Sequence, residues 1–169
     1  DDSIKMFVRT KLSWIKKQQE KFEKQPRQSE REYVSGETLY VFGQQYFLRV
    51  EYSYKGNSLV LAGNEAILTV RKESTASQRE AFVNEWYRAL LKEKIEIYLP
   101  KWENITGLHC DSWQTKYMTT RWGTCNTNTR KIWLNLQLAK KPIECLEYVI
   151  LHELSHLRVR NHSKDFVAI

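Results

Sequence analysis

The hydrophobic positions change period four times along the chain. From residue 3 to residue 25, Ile4, Phe7, Val8, Leu12 and Ile15 recur at helical spacing. Asp2 or Ser3 can cap that helix and Pro26 ends it. A polar segment, PRQSEREYVSGE, follows. From 38 to 71 the pattern becomes strand-like: TLYVF, QYFLRVEYSY, SLVLA and AILTVR are rich in β-branched and aromatic residues, and GQ, KGN and GNE between them are turn material. Four strands in an antiparallel meander are expected there.

Helical spacing returns at 76–99, with Phe82, Trp86, Ala89, Leu90 and Ile97 as the apolar stripe. Ser77 and Glu80 offer a capping box, and Pro100 should break or kink the helix. Residues 113–120 and 131–136 read as strands joined by RWGTCNTNTRK, whose centre is turn-prone. A last helix should begin near Pro142 and bury Leu146, Val149, Ile150 and Leu157. The fold class is α+β, with an antiparallel β-rich N-terminal part. We expect a single domain over 1–169, divisible into a helix-plus-meander lobe (1–74) and a helix-bearing lobe (75–169).

Composition narrows the classes. At 41% hydrophobic the chain can bury a core, while 28% charged residues and a negative mean hydropathy point to a water-soluble protein. No apolar run approaches the roughly 20 residues a bilayer span needs, so no membrane partner is expected. The start, Asp1-Asp2-Ser3, is not a signal peptide, and the missing Met suggests a fragment or a processed form. Three cysteines, Cys110, Cys125 and Cys145, do not make a disulfide framework and fit a reducing, cytoplasmic compartment. The net charge of +7 makes nucleic acid an electrostatically plausible partner, but many cations lie on the first helix, where a solvated face explains them.

The stretch LHELSHLRVRNH, 151–162, changes the picture most, because it holds three of the four histidines. His152 and His156 lie four apart on the expected helix, one turn apart on one face, so their imidazoles can converge on one ion. H-E-x-x-H is the zinc-protease arrangement, with Glu153 as general base. A catalytic zinc takes three protein ligands and leaves one position for water. His162, six residues after His156, is the obvious third ligand. The position that holds glycine in the longer zinc motif is Val159, which resists positive φ, so the turn to His162 must differ. Three imidazoles suit one Zn²⁺ ion.

RWGTC at 121–125, IWLNLQLAKKP at 132–142 and LEYVILHELSHLRVRNHS at 146–163 together resemble the YgjP-like family of zinc metallopeptidases. REYVSGETLYVFGQQYFLRV at 31–50 is similar to that family's β-rich segment, so the likeness spans nearly the whole chain. The family is similar in its core to SprT-like proteases that act on proteins attached to DNA. The resemblance implies a zincin-like core with an H-E-x-x-H helix, His152, His156 and His162 as ligands, Glu153 as catalytic acid and base, and a protein or peptide substrate. NHSKDF departs from the family pattern at Lys164, where proline is expected.

Other groups carry weaker expectations. Arg121, Trp122 and Gly123 could shape the cleft, but a packing corner is favoured: Trp122 buried, Gly123 in a turn, Arg121 paired with a carboxylate. Cys125 is read as a buried thiol and His109 as a surface residue. Arg121, Tyr148 and Tyr117 are candidate oxyanion donors. The strand around 132–136 could pair with an extended substrate or be a core strand. Against the zinc peptidase stand two alternatives: a nucleic-acid-associated module with a structural metal, using Trp113, Trp122 and Trp133 for stacking, and a non-peptidase zinc hydrolase.

Overall fold

The structure, a computed structural model, describes Thr10, Lys11, Ser13, Trp14, Lys16, Lys17, residues 31–163 and Phe166. It divides into two units, residues 1–31 and 32–169. In the first unit the six described residues 10–17 are helical. The expected stripe, the caps at Asp2 and Ser3 and the stop at Pro26 lie outside the described residues, as does Lys164.

The second unit carries the chemistry. Its order is β1 (Thr38–Val41), β2 (Gln44–Tyr52), β3 (Ser58–Ala62), β4 (Glu65–Val70), α1 (Ala76–Thr106), β5 (Ser112–Lys116), β6 (Gly123–Asn126), β7 (Lys131–Asn135), a short 3-10 turn (Leu136–Lys140) and α2 (Ile143–Ser155). The four-strand prediction holds, but the antiparallel meander does not. The sheet order is β1-β2-β4-β3, and β2 runs parallel to β4 with Phe47 opposite Glu65 and Tyr52 opposite Val70. The β3–β4 hairpin is inserted with its second strand inward. Ala66, Leu68 and Val70 of β4 are fully buried, whereas Ser58, Val60 and Ala62 of β3 face water. The strand with the drier face takes the inner place.

The long helix also departs from expectation. Thr75, not Ser77, is its N-cap, and it forms a capping box with Gln78. Pro100 lies inside the helix on an exposed position, and the helix runs on to Gly107. Losing one backbone N–H on the solvent side leaves the remaining bonds intact. Gly107, at φ 68, is the stop, because its αL conformation closes the helix through a bond to the Glu103 carbonyl. The buried stripe is Val83, Tyr87, Leu91, Ile95 and Leu99; Phe82, Trp86 and Leu90 flank it, while Ala89 and Ile97 are exposed. Tyr87 anchors α1 to the first sheet, its hydroxyl donating to the Tyr40 carbonyl at 2.8 Å.

The second sheet has the order β5-β7-β6, with β5 parallel and β6 antiparallel to β7. GTCN, expected to be part of a loop, is a strand. β7 is the central strand, and β5 and β6 are the two edges. The expected strand over 113–120 ends at Lys116 because Asn135 draws the chain away. Its buried amide donates to the carbonyls of Met118 (2.8 Å) and Arg121 (2.6 Å), and its side-chain oxygen caps the 3-10 turn at Gln137 N–H (3.1 Å).

Helix α2 begins after Pro142, as expected, and buries Leu146, Val149, Ile150 and Leu154; Leu157, beyond its end, is half-buried against the core. The first hairpin braces its start: a Cβ on Gly43 would lie 3.0 Å from Pro142 Cγ. Among the described residues no helix is long and apolar enough to cross a membrane.

Candidate metal centre

The last turn of α2 and the segment after it build the site. Leu146, Val149, Ile150 and Leu154 lock one face of the helix into the core. His152 then falls on the open face, and His156 follows as the C-cap residue one turn later. Beyond it the backbone bonds Arg158 N–H and Val159 N–H to the Ser155 carbonyl carry the chain round, and Asn161 and His162 come back over the helix end. Among the described residues the non-glycine positive φ values are at Tyr33, Phe42 and Arg130, so Val159 makes this turn without one. That matches the constraint a β-branched side chain imposes.

The ligand atoms of His152, His156 and His162 lie within 4.8 Å of one another. The ring centroids form a near-equilateral triangle of 4.8, 4.8 and 4.9 Å. His152 Nε2 and His162 Nε2 face each other at 3.0 Å. Zinc–nitrogen bonds of ~2.0–2.1 Å in a tetrahedron require nitrogens roughly 3.3 Å apart, so a small adjustment admits an ion. His156 Nδ1 is 3.2 Å from the Val159 carbonyl. A carbonyl only accepts, so Nδ1 carries the proton and Nε2 is left bare for a metal. The donor set therefore fits zinc. Phe166, a contributor that pattern reading did not identify, places its ring 4.8–5.0 Å from all three imidazoles and braces the cluster. Burial, then the neighbouring His156 and His162, lower the His152 pKa, favouring the neutral, ligating form.

Glu153 sits beside this cluster, on the same helix but turned inward, and is only 5% exposed. Burial pushes its carboxyl up to about 7, although the Arg121 charge pulls the other way. Gly123 lies directly against it. A Cβ there would stand 2.6 Å from Glu153 Oε1, 2.7 Å from Cγ and 2.9 Å from Cδ, so only glycine fits. The packing-corner reading of 121–123 fails for Trp122 and Gly123, while the Arg121 charge does act on the Glu153 carboxyl. Trp122 is 47% exposed, Gly123 opens β6 instead of a turn, and Arg121 faces the cleft. Asn135 holds the Arg121 carbonyl, and its own N–H donates to the Trp122 carbonyl at 2.9 Å, which fixes the segment.

The cleft is about 500 Å³ and is walled by the three histidines and Glu153 on one side and by Gly123–Cys125, Thr127 and Asn128 on the other. Tyr117 is not among its lining, whereas Tyr148 places its ring 5.9 Å from His152. His109 is on the surface, as expected. Cys125 is only half-buried and lines the cleft. Burial, then Glu153, raise its thiol to about 11; burial and Glu103 do the same for Cys110. At pH 7.5 each is therefore thiolate in roughly one molecule per few thousand. An aromatic disulfide reagent should modify exposed Cys145 first and the other two far more slowly. Equal rates in a residue-resolved mass-spectrometric time course would contradict this placement.

An α+β domain in which a helix and the segment after it turn three imidazoles and a carboxylate towards one cleft has the build of a metal-dependent peptidase. The YgjP-like metallopeptidase domain family matches residues 1–169, and the chain belongs to that family. No curated protein and no solved structure matches it.

Proposed function

We propose that the chain is a zinc-dependent endopeptidase in which His152, His156 and His162 hold one zinc ion and Glu153 serves as general base and acid. The observation that carries this reading is the convergence of three imidazoles beside a buried carboxylate. Zinc held there supplies a Lewis acid for the scissile carbonyl and lowers the pKa of a water towards about 7. Glu153 accepts the proton of the attacking water and delivers it to the leaving amine. Its dry surroundings favour the protonated form, which suits a group that must take up a proton. Gly123 and Asn135 keep the opposite wall in place. The free edge of β6 offers backbone N–H and C=O groups to an extended polypeptide, a recognition mode indifferent to most side chains. The strand considered at first, 132–136, is central and has no such edge. Arg121 lines the cleft and the Tyr148 ring stands beside His152, which makes these two the candidate oxyanion donors.

The test is metal content followed by proteolysis. Purified protein should bind one zinc per chain, and His162→Ala should give its zinc up to a mild chelator that the parent resists. An unfolded protein should be cut by the zinc-loaded parent, spared after chelation and cut again on zinc addition. A metal-loaded sample that binds DNA in a salt-sensitive manner and cleaves nothing would replace this reading with a binding module.

A further inference from the structure

A second cavity adjoins the metal centre and has a different character. It measures about 530 Å³ and is walled by Trp122, Leu138, Cys145, Tyr148 and Val149 together with the charged Lys141 and Glu144. It shares no lining residue with the cleft but comes close to it at two points. Tyr148 lies one helical turn before His152 and its ring is 5.9 Å from that imidazole. Trp122 immediately precedes Gly123, which touches Glu153. Trp122 is 47% and Tyr148 67% exposed, an unusual outlay of aromatic surface beside a catalytic carboxylate. The Lys141 ammonium stands 5.8 Å from the Trp122 ring and steadies it.

We propose that this groove receives a large apolar side chain of the polypeptide substrate, from the residue that follows the scissile bond. The proposal rests on the peptidase reading above, and the direction comes from β6. A chain pairing antiparallel with β6 runs from the Asn126 end towards the Gly123 end. Its residues beyond the cut then pass Gly123 and reach Trp122. Glu153 lies at that same end, where the leaving amine must receive its proton. The Asn126 end is polar, flanked by Thr127 and Asn128. Selectivity is therefore asymmetric: apolar after the cut, permissive before it.

The test compares two peptides that differ only in Phe or Gly after the scissile bond. The kcat/KM ratio of Phe over Gly should be about 10–200 for the zinc-loaded parent. It should collapse at least tenfold in Trp122→Ala, in Tyr148→Ala and in Cys145→Trp, which fills the groove. Tyr148 is exposed, so its removal keeps the test valid if Trp122→Ala disturbs folding. Loss of an oxyanion donor would slow both peptides alike and leave the ratio unchanged, so an unchanged ratio in all three variants overturns the groove. So does a parent ratio near one, or a preference for Phe before the cut. If no peptide is cut, the peptidase reading fails by itself. Unlabelled protein titrated calorimetrically with the capped Phe and Gly peptides, beside Tyr148→Ala, then decides the groove. A response to Phe alone supports it, and equal or absent responses sink it.

Discussion

Replacing Glu153 with glutamine is expected to leave zinc content unchanged and to lower turnover by roughly a thousandfold. The carboxamide keeps the size of the side chain but cannot take a proton from water. General acid–base catalysis by a positioned group contributes about 10²–10⁴-fold, and one side chain here would serve both transfers. The histidine trio does not include Glu153, so zinc should remain bound. Full activity in a zinc-loaded Glu153→Gln sample would falsify the acid–base assignment while leaving the metal site standing.

The same substitution has a second consequence, in zinc-free protein. The Glu153 carboxyl titrates near 7 in the folded chain against an ordinary value of 4.5, because burial disfavours its charge. Between those two pH values the folded state holds a proton that the unfolded state has released. Stability therefore falls as pH rises from about 4.5 to 7, and the loss is complete above that. The cost is about 3 kcal/mol at pH 8, since each unit of pKa is worth about 1.36 kcal/mol and the group is nearly sealed from water. Glutamine carries no charge and escapes it. In chelator, the variant should be more stable than the parent at pH 8 and indistinguishable from it at pH 4.5. Parallel denaturation curves at both pH values would show that Glu153 is not held in a dry pocket.

The centre of the site was legible because its geometry is local. Two histidines four apart on a helix share a face whatever the rest of the chain does, and the Val159 constraint on the following turn is equally local. The α+β class and the number of strands in the first sheet were readable for the same reason. What depended on distant partners was not. The parallel pairing of β2 with β4 reflects competition between strands for the drier position, which no single strand reveals. Pro100 reads as a break only if its neighbours cannot spare a bond, and on the solvent side of a helix held by Tyr87, Leu91 and Ile95 they can. Trp122 seemed a core residue by type, and its exposure is set by Asn135, thirteen positions away, gripping the backbone beside it. Gly123 carried no conformational signal, because its role comes from contact with a different element.

That contact makes Gly123→Ala the most informative single change outside the histidine–glutamate motif. The backbone at Gly123 is not in the left-handed region, so alanine suits it conformationally and the effect is steric alone. The new methyl carbon would overlap Glu153 from Cγ to Oε1, at 2.7 and 2.6 Å, and so cannot be accommodated by swinging the carboxylate tip. The side chain must retreat from the position where, on the proposed mechanism, it would meet water and leaving amine, or β6 must withdraw from α2. A misplacement of about 1 Å costs on the order of a hundredfold in rate. The three atoms nearest the new methyl all belong to Glu153 and none to an imidazole, so zinc affinity should hold. Overpacking should cost the fold about 1–3 kcal/mol. In a Glu153→Gln background the same substitution should reduce activity little further, because both changes act through one group. If Gly123→Ala turns over substrate at the parental rate, or if its defect adds fully to that of Glu153→Gln, the close packing of β6 on Glu153 is not what holds the carboxylate ready.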